Sequence, residues 1–233
     1  MKPMSEVAAE FDAIAAALEA EPRCEELSPA ERALLRHVPA RARLALDVGC
    51  GDGVLTRALA RRGMRVLGID ASPGMIAVAR ERTAADLDVE YRVADLMAEP
   101  LADQAFDVVA AVALVHHLPL EQVVPRLAAA VAPGGVLLIQ DVTQRRGLRH
   151  LPVNVLAGGW RLLRRVLARS ASSPQLAALY GAHGKDEVYL SPEAVAPAYA
   201  ALLPGASVHL HLEWRYTVAW RRPGGDPGAG SGR

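Results

Sequence analysis

Residues 44–53 read LALDVGCGDG: an apolar run from Leu44 to Val48, then glycines at three alternate positions, Gly49, Gly51 and Gly53. The residues that follow, Val54 to Arg62, place Leu55, Ala58 and Leu59 at helical spacing. The stretch therefore predicts a strand, a tight turn and a helix in succession. Glycine has no Cβ and accepts positive φ, so such a turn lets backbone come close to a ligand. The helix N-terminus behind the turn adds unpaired N–H groups and the positive end of a dipole. The pattern points to a loop that holds a nucleotide-like molecule.

Outward from this loop the same alternation repeats. Arg65–Ile69 predicts a second strand that closes on Asp70. Ser72 and Pro73 then suit the N-cap and first position of a helix running to about Thr83. Val89–Val93 predicts strand 3, ending near Asp95, and the apolar run Phe106–Ala113 predicts a strand 4 buried on both faces. A helix over Leu120–Val131, with Pro125 inside it, leads to a Pro133-Gly134-Gly135 turn and a fifth strand, Val136–Asp141. Strands alternating with helices imply right-handed crossovers and a parallel sheet. In such a sheet ligands sit at the C-terminal strand edge, which here gathers Gly49, Asp70, Asp95 and Ala111.

The flanks read differently. Residues 1–42 form N-terminal helices, the second opened by a capping box at Ser28, Pro29 and Glu31. Residues 142–190 break the alternation and are expected to form a lid-like insertion; seven arginines and no acid fall between Val142 and Ser170. A last helix from Ser191 to about Leu203 precedes two strands, Ser207–Glu213 and Trp214–Trp220, expected as an antiparallel pair at the sheet edge. Residues 223–233, rich in glycine and proline, are expected to be disordered.

Composition narrows the function. The 233 residues carry no net charge, 52% hydrophobic and only 4% aromatic residues. An aliphatic core suits helices packed on a sheet, and the absence of net charge gives no general attraction to nucleic acid. Two cysteines, Cys24 and Cys50, are too few for a disulfide framework, and no metal-ligand spacing stands in the chain, so no metal is expected. The N-terminus carries acids within its apolar stretch, unlike a signal peptide, and a cytoplasmic location is the expectation.

The glycine loop departs from the dinucleotide fingerprint, because its third glycine comes one position early, and no Gly-Lys-Ser/Thr marks a P-loop. Asp70 at the end of strand 2 can accept both hydroxyls of a ribose. Together LDVGCGDG, GIDASPGMIAVAR, VADLMAEPLADQAFDVVAAVALVHHL and PGGVLLIQD resemble, in order and spacing, the successive motifs of class I S-adenosylmethionine-dependent methyltransferases of small-molecule type. The resemblance spans about residues 43–141, and HLHLEWRYTVAW looks like that family's last two strands. It implies a Rossmann-like α/β sandwich with a seven-stranded sheet, one strand antiparallel, as the domain over residues 43–222.

The resemblance also implies roles. Asp47 would hold the methionine amino group, and Gly49, Cys50, Gly51 and Gly53 would form the loop against S-adenosyl-L-methionine. Asp70 and Ala71 would meet the ribose, Met75 the adenine face, and Asp95 and the Leu96 N–H the adenine edge. Ala111 and Val112 would face the methionine moiety. The sulfonium methyl is already activated, so alignment supplies much of the rate, and a base serves only where the acceptor must lose a proton early. His116, His117, Tyr180 and His183 are the candidates for that base, although the His116-His117 pair also matches a family pattern with no catalytic role.

The expected reaction delivers the methyl to O, N or C of a small molecule, with S-adenosyl-L-homocysteine as product. Nucleic-acid methylation is the alternative, but no Asn/Asp-Pro-Pro-Tyr/Phe follows strand 4 and no Pro-Cys pair is present. A non-catalytic cofactor-binding module is a third reading, opposed by the intact acids on strands 1 to 3. The arginine-rich stretch 142–170 also allows contact with a membrane surface. No feature of the sequence sets the oligomeric state or names the acceptor.

Overall fold

The apolar runs pair into one seven-stranded sheet. In the computed structural model, which describes residues 2–21, 27–145, 150–167, 173–183, 187–212 and 214–224, the order is β3-β2-β1-β4-β5-β7-β6. The strands are β1 (Leu44–Val48), β2 (Arg65–Asp70), β3 (Val89–Val93), β4 (Phe106–Val112), β5 (Val131–Val142), β6 (Ser207–Leu210) and β7 (Arg215–Arg221). β1 to β5 are mutually parallel, and β7 runs antiparallel to both β5 and β6. The order reverses between β1 and β4, which opens the crevice at the end of β1.

Period-two alternation divides the core between the two faces. Leu46, Val48, Val109, Ala111, Leu137 and Ile139 pack on one side, with α5 (Leu120–Ala130) and α8 (Pro192–Leu202). Ala45, Val108, Ala110, Val136 and Leu138 pack on the other, with α2 (Pro29–Leu34) and α3 (Val54–Ala60). Complete burial of such aliphatic side chains contributes roughly 1.5–3 kcal/mol apiece. The Ser28–Glu31 capping box forms as expected, the Ser28 N–H donating to Glu31 Oε2 at 2.6 Å and the Glu31 N–H to Ser28 Oγ at 3.2 Å.

Two strand readings need correction. β5 begins at Val131, not Val136: Phe106 pairs with Val131 and Val108 with Val136, so Pro133-Gly134-Gly135 is a bulge inside a strand. Gly134 takes φ 77° there, and a Cβ on Gly135 would stand 2.8 Å from the Asp107 carbonyl oxygen. β6 stops at Leu210, three residues early, and β7 begins at Arg215, with Trp214 at φ 54° in the reversal.

The insertion between β5 and β7 holds α6 (Leu151–Leu167) and α7 (Pro174–His183) ahead of α8. Leu151, Val155 and Leu156 of α6 are exposed, and Asn154 Oδ1 accepts the Trp214 indole N–H. Of the apolar face expected on Trp160, Leu163, Val166 and Leu167, the side chains lie outside the described residues, as does the tail from 225. Among the described residues no helix is long and apolar enough to cross a membrane.

The N-terminal helix α1 (Met4–Leu18) is fastened across α4 (Pro73–Arg82) by charge-assisted bonds. Asp12 Oδ1 accepts from the Ser72 hydroxyl at 2.6 Å and from the Gly74 N–H at 2.9 Å. The helices touch at Gly74, where a Cβ would lie 3.0 Å from the Ala15 Cβ. At the far end the Arg82 guanidinium donates to the Leu18 carbonyl at 2.5 Å and to Asp52 Oδ2 at 2.8 Å. Hydrogen bonds to charged groups contribute about 1.5–3 kcal/mol. Asp12→Ala is therefore expected to lower unfolding free energy by about 1.5–3 kcal/mol in urea titration and to speed proteolysis within α1 before the sheet opens.

Candidate active site

The turn after β1 is built from three left-handed glycines, and each does something different. Gly49 (φ 66°) faces Leu114, whose Cδ1 would be 3.0 Å from an added Cβ. Gly51 (φ 53°) has no neighbour within 4 Å of that position, and its N–H donates to Asp70 Oδ2 at 2.9 Å. Gly53 (φ 80°) is the N-cap of α3 and points away from the crevice: an added Cβ would come 2.3 Å from the Tyr91 hydroxyl and 2.9 Å from Arg57 Nη1. The early third glycine thus makes room for Tyr91 of β3, which is a matter of packing.

A cavity of about 460 Å³ opens at this edge of the sheet, within the usual range of small-molecule sites, about 300–1,000 Å³. It brings together Asp47, Gly49, Cys50, Gly51, Asp70, Ala71, Met75, Leu96, Val112, His116, His117 and His183. Three of the residues singled out in the sequence stand outside its lining. Gly53 packs behind the loop, and Ala111 is buried in the core between β1 and β5. Asp95 turns its Oδ1 to the Met97 N–H at 2.8 Å.

The acids at the bottom of the cavity are poorly solvated. Asp47 is 1% exposed, with the Thr56 hydroxyl donating to Oδ2 at 2.6 Å. Burial pushes its carboxyl up to about 7; the Thr56 hydroxyl opposes this, and the charges of Asp70 and Glu31 add to it. Asp70 accepts from Ser72 N–H through Oδ1 (2.9 Å) and from Gly51 N–H through Oδ2 (2.9 Å). Burial raises this carboxyl as well, against the pull of those two donors. Each oxygen keeps a second lone pair for a ligand hydroxyl. Burial and the neighbouring Asp47 and Asp70 push the Cys50 thiol well up, so it stays a thiol and acts as packing.

Opposite the acids stands a wall of histidines. His116 sits just beyond β4, with Nδ1 2.6 Å from Asp141 Oδ1 and its backbone N–H donating to Asp141 Oδ2 at 2.9 Å. The His117 ring lies 3.8 Å from that of His116, centroid to centroid. His117 Nε2 faces His183 Nε2 at 3.4 Å, and its Nδ1 is 3.3 Å from Glu187 Oε1 without hydrogen-bond geometry. Burial, then the neighbouring His116 and His183, lower His117 to about 3, so its ring is neutral. His183, from α7, sets Nδ1 2.5 Å from Glu10 Oε2 of α1. Tyr189 and Phe11 complete the wall at 5.0 Å from His116 and 4.8 Å from His183.

Sequence reasoning missed Glu10, Asp141, Glu187 and Thr56. Asp141 had a signal, its place at the C-terminal end of a parallel strand. Glu10 is 173 positions from the histidine it meets, and no local pattern announces that.

The fold and the cavity define an α/β protein whose strand-edge loop and paired acids suit an adenosyl group with an amino-acid tail. A family model described as a methyltransferase domain matches residues 46–139. An uncharacterized methyltransferase of Mycobacterium tuberculosis is 32% identical over 194 residues, covering 80% of this chain and 90% of that protein. A trans-aconitate 2-methyltransferase of Variovorax paradoxus is 38% identical over 136 residues, 57% of this chain and 51% of its own. A Haloferax volcanii methyltransferase, solved in complex with the Trm112 methyltransferase activator, shares the fold at TM-score 0.65 and 19% identity, over 94% of this chain and 99% of its own. The chain belongs to the class I S-adenosylmethionine-dependent methyltransferases. Its cofactor is S-adenosyl-L-methionine, which leaves as S-adenosyl-L-homocysteine.

The glycines separate fold from site. Gly51→Ala meets open space and is expected to cost about 1–2 kcal/mol, the left-handed penalty alone. Gly53→Ala adds overlap with Tyr91 and is expected to cost about 2–4 kcal/mol in the same denaturant titration. Equal losses at the two positions would show that Gly53 is not a packing glycine.

Proposed function

We propose that this enzyme methylates a small molecule held between the cofactor's methyl group and the histidine wall. The observation that carries the reading is that one cavity has the acid-lined glycine turn on one side and His116, His117 and His183 on the other. In this reading Asp47 pairs with the cofactor's ammonium group, Asp70 accepts from the ribose hydroxyls, and the backbone at Gly49 and Gly51 lies along the methionine moiety. Met75 and Leu96, both buried at the cavity, sandwich the adenine. Val112 flanks the sulfonium. The acceptor's reacting atom stands at the histidine wall, which binds it as the methyl transfers. Helix α1 lays Met4, Val7 and Phe11 over the cavity, a cover suited to a small acceptor and to exclusion of water. The trans-aconitate relative acts on a small carboxylate, which fits an acceptor of this size.

Two measurements test the cofactor side. Asp70→Ala is expected to weaken S-adenosylhomocysteine binding at least about 100-fold in calorimetry, since it removes two hydrogen bonds to a charged acceptor together with the clamp on Gly51. Unchanged affinity would mean that the ribose lies elsewhere.

Asp47 gives a pH signature. In the free protein its carboxyl is protonated below about pH 7, whereas pairing with an ammonium requires the carboxylate. Binding must therefore release a proton at acid pH, and affinity should rise about tenfold per pH unit from about 5.5 toward 7 and then level off. For the cofactor-free fold the sign is opposite. A carboxyl raised from the ordinary range to about 7 makes the folded state progressively less stable as pH climbs through that interval. Asp47→Asn should bind weakly at every pH and abolish both slopes. A wild-type binding curve that is flat over this interval would remove Asp47 from the ammonium site.

A further inference from the structure

The histidine wall gathers three side chains that can each ligate a metal ion. We propose that His116, His117 and His183 bind one divalent transition ion of the zinc type through their inward nitrogens, with an open position facing the cavity. The proposal rests on the methyltransferase reading for its consequence, namely that the open position takes an oxygen of the acceptor.

Three observations converge. One ring nitrogen from each of the three histidines lies within 4.8 Å of the others, although two come from the turn after β4 and one from α7. His117 Nε2 and His183 Nε2 are 3.4 Å apart. A tetrahedral ion with metal–nitrogen bonds of about 2.0–2.1 Å places neighbouring donors about 3.3–3.4 Å apart. Each ring also turns its Nδ1 to a carboxylate: Asp141 at 2.6 Å, Glu187 at 3.3 Å and Glu10 at 2.5 Å. A carboxylate on the far nitrogen fixes the tautomer and raises the basicity of a ligating histidine. The three carboxylates beyond the rings, of which Glu10 also pairs with Lys2 at 2.6 Å, offset the charge of a dication.

The hydrogen-bond count gives the same answer. With one proton, placed on Nδ1 toward Glu10, the His183 ring presents a lone pair at Nε2. If His117 puts its proton on Nδ1, toward Glu187, two lone pairs meet at 3.4 Å. If it puts the proton on Nε2, its Nδ1 lone pair meets the Glu187 carboxylate. Among the described residues, His117 Nδ1 and Glu187 Oε1 are indeed buried without a hydrogen-bond partner. A cation between the two Nε2 atoms resolves both conflicts, as would one extra proton, which is the rival occupant.

With the ion bound, an acceptor hydroxyl on the open position releases its proton to solvent. Its oxygen lone pair then forms the O–CH3 bond as the C–S bond breaks, leaving S-adenosylhomocysteine. The chemistry thus favours an acceptor that ligates a metal through oxygen. The sequence expectation of no metal rested on spacing, and adjacent histidines with a third 66 positions on form no recognised spacing.

The full chain, stripped with a chelator, would be titrated with Zn²⁺ against a chromophoric chelator and with Co²⁺ by visible absorption. The expected result is one ion per chain and the strong absorption of four-coordinate Co²⁺. His183→Gln and His116→Gln should each abolish binding at micromolar metal, while Glu10→Gln weakens it about 10–100-fold. S-adenosylhomocysteine affinity should stay unchanged in His183→Gln. No stoichiometric uptake, or uptake that survives both histidine variants, overturns the proposal and leaves the shared proton as the occupant. Metal uptake in a chain that fails to bind S-adenosylhomocysteine would sink the methyltransferase reading and leave the metal site standing.

Discussion

The site depends on how Asp70 spends its two oxygens. One accepts from Gly51 in the turn after β1, the other from Ser72 at the head of α4. The carboxylate therefore ties two neighbouring strand ends together before any ligand arrives. Ser72 passes the constraint on: its hydroxyl accepts from the Met75 N–H at 3.0 Å and donates to Asp12 of α1. A single chain of hydrogen bonds thus runs from the glycine turn through β2 and α4 to the N-terminal cover. Each link is charge-assisted or caps a helix, and such bonds are stronger and more directional than neutral ones.

This arrangement explains which parts of the protein can be read from sequence. The β1 run, Asp70, and the Ser72-Pro73 start of α4 are local facts: each follows from spacing, capping or β-branched content within ten residues. The parallel order followed from the alternation, and the antiparallel end from the short join between the last strands. The bulge in β5 was hidden because Pro133-Gly134-Gly135 is an equally good turn; the ladder between β4 and β5 decides the matter, and that is a property of two segments. Gly53 misled in a related way. Glycine reads as backbone freedom toward a ligand, whereas here the close approach is that of Tyr91.

The cavity also concentrates cost. Asp47 is buried with one hydroxyl for company, and Asp70 and Glu31 raise its carboxyl further. A fold optimised for stability alone would pair or remove this group. In the proposed reading a cofactor ammonium supplies the counter-charge, and the cost of burying Asp47 in the free protein becomes affinity when the pair forms. One carboxylate beyond the histidine rings has a similar character: Glu187 is buried, and its Oε1 has no hydrogen-bond partner among the described residues.

The two walls differ in how firmly they are held. The adenine side is built on α4, which α1 grips through Asp12, Arg82 and the Gly74 contact. On the acceptor side His183 rides on α7, a ten-residue helix that buries only Leu176 and His183. Leu176 packs with Ile14 and Met75 in the cluster that also seats α1, and His183 reaches Glu10 of the same helix. Local opening follows the elements with least buried apolar surface. By that measure α7 leaves before α1 does, taking His183 from the wall while the glycine turn, Asp47 and Asp70 stay in place. The hydrogen-bond chain that starts at Asp70 ends on α1, and α7 meets that side of the cavity through the packing of Leu176 with Met75.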